Sequence, residues 1–265
     1  MTTLFRAMIE VAAICNALHG GKATAASPSP YTTLTDTLRF ENLLHYNGGT
    51  LFIRSGTYAN MSKLITNYVQ TTGVITFTPA TAGAIAIGTE YDITNVSRDA
   101  LVHAINFALT YMGEYTDIDE SLTVLSNATE YTLPSGVSNV VSIEVYTNAS
   151  TPYGFNPCMT WREVHGQIQI PAVLNQSVGN KIRLFYNKFH DPVQNDTDEI
   201  NSAYNLKRLA WTGAWAYMVN RENYTGNVDN KETMLLTTLA MQAQRLAASL
   251  PVYHKERDPI FAHFD

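Results

Sequence analysis

Seven histidines (His19, His45, His103, His165, His190, His254 and His263) could act as bases or metal ligands. Their spacing argues against it. No His-x-x-x-His occurs, and none stands at ligand spacing from Cys15 or Cys158. His103 falls two residues from the apolar face of a helical pattern, where a surface or hydrogen-bonded structural role is expected. Asp196-Thr197-Asp198-Glu199, with His190-Asp191 nearby, is the most acidic stretch. It could present oxygens to Ca²⁺, but it lacks the glycine turn and bidentate glutamate of an EF-hand loop. A helix N-terminus accounts for the same acids, because the macrodipole favours negative charge there.

Nucleophile and phosphate signatures are missing. There is no Gly-x-Ser-x-Gly elbow and no Gly-x-x-x-x-Gly-Lys-Ser/Thr loop. Asn47-Gly48-Gly49 lies between β-type runs and reads as a hairpin turn rather than a phosphate cradle. Cys158 follows Pro157 with no His-rich partner segment and is expected to be a free structural thiol. Asn-x-Ser/Thr occurs at Asn60, Asn95, Asn127, Asn148, Asn175, Asn195 and Asn223. In a chain this rich in Asn, Ser and Thr these read as polar turn residues. No catalytic, metal or cofactor site is expected, and no enzyme activity.

The elements that would position such residues follow from periodicity. Leu4, Met8, Val11, Ile14-Cys15 and Leu18 recur at helical spacing, predicting an N-terminal helix over about 3–19 that Gly20-Gly21 stops. Glu10 and Asn16 interrupt the apolar run too often for a signal peptide. Residues 22–30 read as a linker. Thr37–Phe40, Thr50–Arg54, Lys63–Val69, Val74–Thr78 and Thr89–Ile93 are expected strands bounded by Gly, Asn and Pro, which makes 31–93 a small β-barrel or sandwich. The period changes at 97–114, where Leu101, Ile105, Ala108 and Met112 share a helical face, Ser97 is the expected N-cap and Gly113 the end.

A second β region, at about 117–190, includes Glu130–Leu133, Val140–Tyr146, Trp161, Gln167–Ile170 and Lys181–Tyr186. Two helices close the pattern, one over about 200–220 and one over about 230–250, the latter opened by Asp229 with Glu232 and ended by Pro251. The expected architecture is α+β, a bundle of about four helices carrying two β regions. Its parts are a helix and linker (1–30), a β insertion (31–93), a helical core containing the second antiparallel sheet (94–250) and an extended tail (251–265).

Composition excludes further classes. The 265 residues are 45% hydrophobic and only 15% charged, with a net charge of −6. A disordered chain needs less hydrophobicity and more net charge, and a phosphate-neutralising protein needs a basic excess. Two cysteines cannot build a disulfide framework, and no apolar run spans a membrane. So little charge at this length points to surface reserved for neighbouring subunits. The Ala- and Trp-rich helix with Leu206, Leu209, Trp211, Gly213, Trp215, Tyr217 and Met218, apolar nearly all round, points the same way or to an ordinary core helix.

The order of segments resembles a known family. A leading helix is followed by GVITFTPATAGAIAIGTEYDI (Gly73–Ile93), SRDALVHAINFAL (Ser97–Leu109), TEYTLPSGVSNVVSIEVY (Thr129–Tyr146), a Trp-containing strand and GNKIRLFYNKFH (Gly179–His190), and then by the closing helices. This resembles the head-to-tail adaptor (connector) proteins of tailed bacteriophages, in pattern and order over most of the chain. The Leu133-Pro134-Ser135-Gly136 turn and the Ile182-Arg183-Leu184 strand are the most telling pieces.

The resemblance implies a structural virion protein of the neck, made in the host cytoplasm. It implies a homo-oligomeric ring, commonly of about twelve copies, beneath the portal, with a tail or nozzle protein on the other side. DNA would pass through the lumen during ejection without specific binding. It also implies that the C-terminal segment docks on the portal, for which Tyr253, Ile260, Phe261 and Phe264 are the expected anchors. A carbohydrate-binding or adhesin-type tail module is the alternative, resting on fifteen tyrosines, three tryptophans and a β region of binding-barrel size.

Overall fold

The computed structural model describes residues 2–15, 17–39, 46–126, 128–146, 154–170 and 178–225, with side chains as far as Val219. The chain divides into two compact units, one of residues 1–108 and 193–265 and the other of residues 109–192.

In the first unit β1 (Thr2–Thr3) leads into α1 (Leu4–Ile14). Thr3 caps the helix by accepting the Arg6 N–H at 3.5 Å, and Leu4, Met8 and Val11 are buried. The helix ends earlier than its apolar spacing predicts. Gly20-Gly21 does not stop it but lies in a strand, β2 (His19–Lys22). The expected linker is also packed structure. Ala23 and Ser27 are buried, Ala23 donates its N–H to the Thr89 carbonyl at 2.9 Å, and Ser27 Oγ accepts the Ile85 N–H at 2.7 Å.

β3 (Thr33–Thr35), β4 (Thr50–Ile53), β5 (Met61–Val69), β6 (Val74–Thr78) and β7 (Glu90–Thr94) join β2 in a six-stranded antiparallel sheet, in the order β2-β7-β4-β5-β6-β3. The chain leaving β2 crosses to the far edge, where the Thr24 N–H donates to the Thr35 carbonyl at 2.7 Å and Ala25 bridges Thr35. The sheet thereby curls toward a small barrel around Leu34, Leu51, Ile53, Ile65, Ile75, Phe77, Tyr91 and Ile93. Thr37–Phe40 is not a strand as far as Arg39, because Asp36 and Arg39 turn toward β7. Asn47-Gly48-Gly49 is a turn into β4 rather than a hairpin, since β4 pairs with β5 and β7.

β4 is buried on both faces. Leu51 and Ile53 fill the barrel, while Phe52 points outward and meets Phe5 of α1 edge to face at 5.6 Å. After β7 comes α2 (Arg98–Met112), where Ser97 Oγ accepts the Ala100 N–H at 3.3 Å, as its position predicts.

The second unit contains β8 (Tyr115–Thr123), β9 (Glu130–Thr132), β10 (Val140–Tyr146), β11 (Phe155–Pro157), β12 (Arg162–Val164), β13 (Gln167–Gln169) and β14 (Lys181–Lys188). They form a four-stranded sheet, β11-β10-β14-β8, and a three-stranded one, β12-β13-β9. Ile143, Val145, Ile168, Ile182 and Leu184 belong to one core shared by both sheets. The β12–β13 turn has positive φ at both His165 (50°) and Gly166 (76°), as a tight two-residue hairpin requires.

The chain then returns to the first unit, where β15 (Glu199–Ile200) pairs with β1. α3 (Leu206–Thr225) starts six residues later than the predicted helix, with Asn205 Oδ1 accepting the Lys207 N–H at 3.0 Å. α1 and α2 approach α3 at Gly213. A Cβ there would stand 3.0 Å from Val11 Cγ2 and 3.7 Å from the Ala104 carbonyl.

The expected bundle of about four helices is therefore corrected. The protein is 36% strand and 20% helical, and the described residues contain three helices. The predicted 230–250 helix lies outside them. Much of the unexpected strand comes from polar or glycine-rich stretches such as β2 and β8, which carry no strong alternating pattern.

Candidate functional site

The outer edge of β2 borders a cavity of about 860 Å³ lined by Gly20, Gly21, Asp36, Arg39, Tyr91 and Asp92 together with Lys22, Arg54 and Glu90. Four of its polar side chains are buried. Tyr91 Oη donates to Asp36 Oδ2 at 2.7 Å and accepts from Arg39 Nε at 2.9 Å. Arg39 Nη2 also donates to the Gly20 carbonyl at 2.8 Å.

The two glycines make room for this cluster. A Cβ on Gly21 would stand 2.5 Å from Tyr91 Oη, and one on Gly20 2.9 Å from Asp92 Oδ1. Burial, reinforced by the Asp36 hydrogen bond, pushes the Tyr91 phenol far above its ordinary value, so it stays protonated and serves as a bonded bridge. Burial likewise raises Asp92 above the usual carboxylate range, against the pull of Arg54. Arg54 Nη1 stands 3.2 Å from Asp92 Oδ2, but off hydrogen-bond alignment, so Oδ2 accepts no hydrogen bond among the described residues.

A second polar node joins β5, the start of α2 and the 194–198 loop. Arg98 Nη2 stands 3.0 Å from Asp196 Oδ1 and also reaches the Gln194 carbonyl. Ser62 Oγ donates to the same carboxylate at 2.8 Å. Asp198 accepts the Gln194 and Asn195 N–H groups at 2.7 and 2.8 Å, which hold its carboxyl below the usual range. The acidic stretch singled out in the sequence is thus spent on fastening a loop. Among the described residues, no three His, Cys, Asp or Glu side chains gather as metal ligands.

In the second unit, a cavity of about 530 Å³ is lined by Trp161, Thr160, Arg162, Gln169, Glu130 and Ile170. Arg162 Nε donates to Gln169 Oε1, and Gln169 Nε2 donates to Glu130 Oε1 at 2.8 Å, a polar row across β12, β13 and β9. On the neighbouring sheet Arg183 bonds Glu120 at 2.7 Å and Glu144 at 3.2 Å and lies 3.7 Å over the Phe155 ring.

The flagged residues are scattered. His103 is exposed on α2, His19 lies on β2, and His190 contacts the Asp191 carbonyl at 2.6 Å. Cys158 is a buried free thiol whose pKa burial raises. Tyr253, Ile260, Phe261 and Phe264 lie outside the described residues. The sequence reading missed the Asp36–Arg39–Tyr91–Asp92 cluster, whose members stand far apart in the chain. The Gly-Gly pair in front of it was the available signal, and it reads equally well as a helix stop.

Asp36, Tyr91 and Arg39 hold backbone and one another. No family model matches the chain, and no curated protein matches it.

Proposed function

We propose that this protein is a structural subunit of a bacteriophage neck, a head-to-tail adaptor that assembles as a ring beneath the portal and passes DNA toward the tail. What supports the reading is the order of sequence segments that resembles the adaptor family. Gly73–Ile93 supplies β6 and β7 of the barrel, Ser97–Leu109 opens α2, Thr129–Tyr146 gives β9 and β10, and Gly179–His190 gives β14. Both β regions are inserted between helices that converge at Gly213.

Among the buried polar groups, Arg39 and Asp36 brace backbone at Gly20 and Leu38. The net charge of −6 per copy, multiplied by ring symmetry, suits a conduit that does not hold phosphates. Native mass spectrometry and negative-stain microscopy of the purified protein, alone and with portal, test the reading. A closed ring is expected, and a protein that stays monomeric in both settings overturns it. Deleting 251–265 is expected to leave the melting transition in place and to weaken co-purification with portal. Undiminished co-purification removes the docking role from Tyr253, Ile260, Phe261 and Phe264.

One observation favours the second reading, a carbohydrate-binding tail module. Trp161, partly buried against the core of the second unit, lines the same cavity as the row of Arg162, Gln169 and Glu130, which sets an aromatic ring beside hydrogen-bond donors and acceptors. Binding on a glycan array that is lost in Trp161→Ala would establish it.

A further inference from the structure

The hydrogen-bond phase of β2 leaves part of a strand edge open. Ala23 donates its N–H to Thr89, so by alternation Gly21 and His19 are the β2 residues bonded to β7, and Gly20 and Lys22 turn their backbone groups away from it. Arg39 takes the Gly20 carbonyl, and Thr24 closes onto β3. The Gly20 N–H and both backbone groups of Lys22 have no partner among the described residues. They face the cavity of about 860 Å³. The Lys22 side chain pairs with Glu90 at 3.0 Å.

The other edges are treated differently. β3 is met by Thr24 and Ala25. On the nine-residue β8, Asp117 Oδ1 accepts the Ile118 N–H and Asp119 Oδ1 the Ser121 N–H, each at 2.9 Å. An edge without such a guard is a template for another strand. Glycines in a strand also mark places where a second backbone approaches closely.

We propose that the Gly20–Lys22 edge is a strand-addition site for an extended segment of a partner protein, carrying lysine or arginine where it passes Asp92. Main-chain bonds supply the attachment, and alternate side chains supply selectivity. The side chain facing Asp92 meets a carboxylate that is 3% exposed and whose Oδ2 accepts no hydrogen bond. Arg54, its present ion-pair partner at 3.2 Å, is half exposed, so a basic side chain of the incoming strand would share the carboxylate with it. Leu38, 76% exposed on the cavity wall, offers the incoming chain an apolar contact. The proposal does not depend on the ring reading.

The test uses the full chain and two synthetic peptides, acetyl-Thr-Val-Thr-Lys-Val-Thr-amide and its counterpart with glutamate for lysine. The lysine peptide is expected to bind saturably, at least about tenfold more tightly than the glutamate peptide, and to slow exchange of the Gly20 and Lys22 amides at least about tenfold. Lys22→Pro removes an N–H that no internal sheet bond uses, so it is expected to abolish binding while the melting temperature holds. Asp92→Asn is expected to erase the preference between the peptides. Failure of both peptides to bind, binding with unchanged exchange at Gly20 and Lys22, or equal binding by a folded Lys22→Pro chain overturns the proposal. The exchange measurement needs no variant, so a Lys22→Pro chain that failed to fold would leave the test standing.

Discussion

In the barrel some ionisable groups are buried. Asp36 and Arg39 are at most 6% exposed, and with Tyr91 they bind the turn after β3 to β2 and β7, while Asp92 is buried on the outer face beside Phe52. In the second unit the comparable groups stay outside. Arg183, Glu120 and Glu144 are 27–33% exposed in a cross-strand ladder, and Asp117 and Asp119 cover the N–H groups of β8. A sheet that curls shut can use buried polar groups as bolts, because closure seals them from water. Two open sheets keep their charges at the surface, where they protect edges and each pair contributes at most about 1 kcal/mol.

The largest expected effect separates a strand covered on both faces from one covered on a single face. Phe52→Ala removes a fully buried ring from the outer face of β4 and is expected to cost about 3–5 kcal/mol in chemical denaturation. Phe185→Ala, on the half-buried outer face of β14, is expected to cost about 1–2 kcal/mol. Equal losses would erase the distinction.

A smaller effect concerns the bolts themselves. Tyr91→Phe strands Asp36 and Arg39 without their bridging hydroxyl and is expected to cost about 1–3 kcal/mol. Tyr186→Phe, whose hydroxyl meets Asp117 at 3.4 Å near the surface, should stay within about 0.5 kcal/mol. If the two variants melt alike, the barrel cluster is not sealed.

The smallest effect is one of opposite sign with pH. Burial raises Asp92 in the folded state, so the folded barrel takes up that proton before the unfolded chain does, and stability rises as pH falls from neutral toward the ordinary carboxylate range. Asp117, despite the cost of its partial burial, is held below its ordinary value by Lys188 and the Ile118 N–H, and Glu120 is held down by Arg183. Their stabilisation is present above the unfolded value, about 4, and is lost as pH falls through the lower folded one. Amide exchange compared at neutral and mildly acidic pH is expected to show barrel protection gaining on that of β8 and β14. Asp92→Asn should remove the gain, and parallel loss in both regions would contradict it.

Much of this contrast could not be read from the sequence. Val74–Thr78, Val140–Tyr146 and the strand from Lys181 announce themselves by β-branched and aromatic residues between turn signals, and the helix after Ser97 by its apolar spacing. β8, Tyr115–Thr123, is rich in acids and reads poorly as a strand until β14 lays Lys181, Arg183 and Lys188 beside it. Gly20-Gly21 carries no side chains and hence no period, so its strand role appears only with Tyr91 and Asp92 across from it. Asp36 and Arg39 lie more than fifty positions before Tyr91 in bonding order, a separation at which local pattern is silent. The four-helix expectation failed for the same reason, since strands made by partnership were invisible to periodicity.

The meeting of α1 with α3 at Gly213 sets an order of events during synthesis. Every barrel strand has been made once Thr94 leaves the ribosome, so this sheet can pair early. α1, although translated first, has to wait nearly two hundred residues for the helix it packs against. Its apolar stripe of Leu4, Met8 and Val11 is a stretch for which a nascent chain needs temporary cover, and the outer face of β4, with Phe52, is the first surface available to give it.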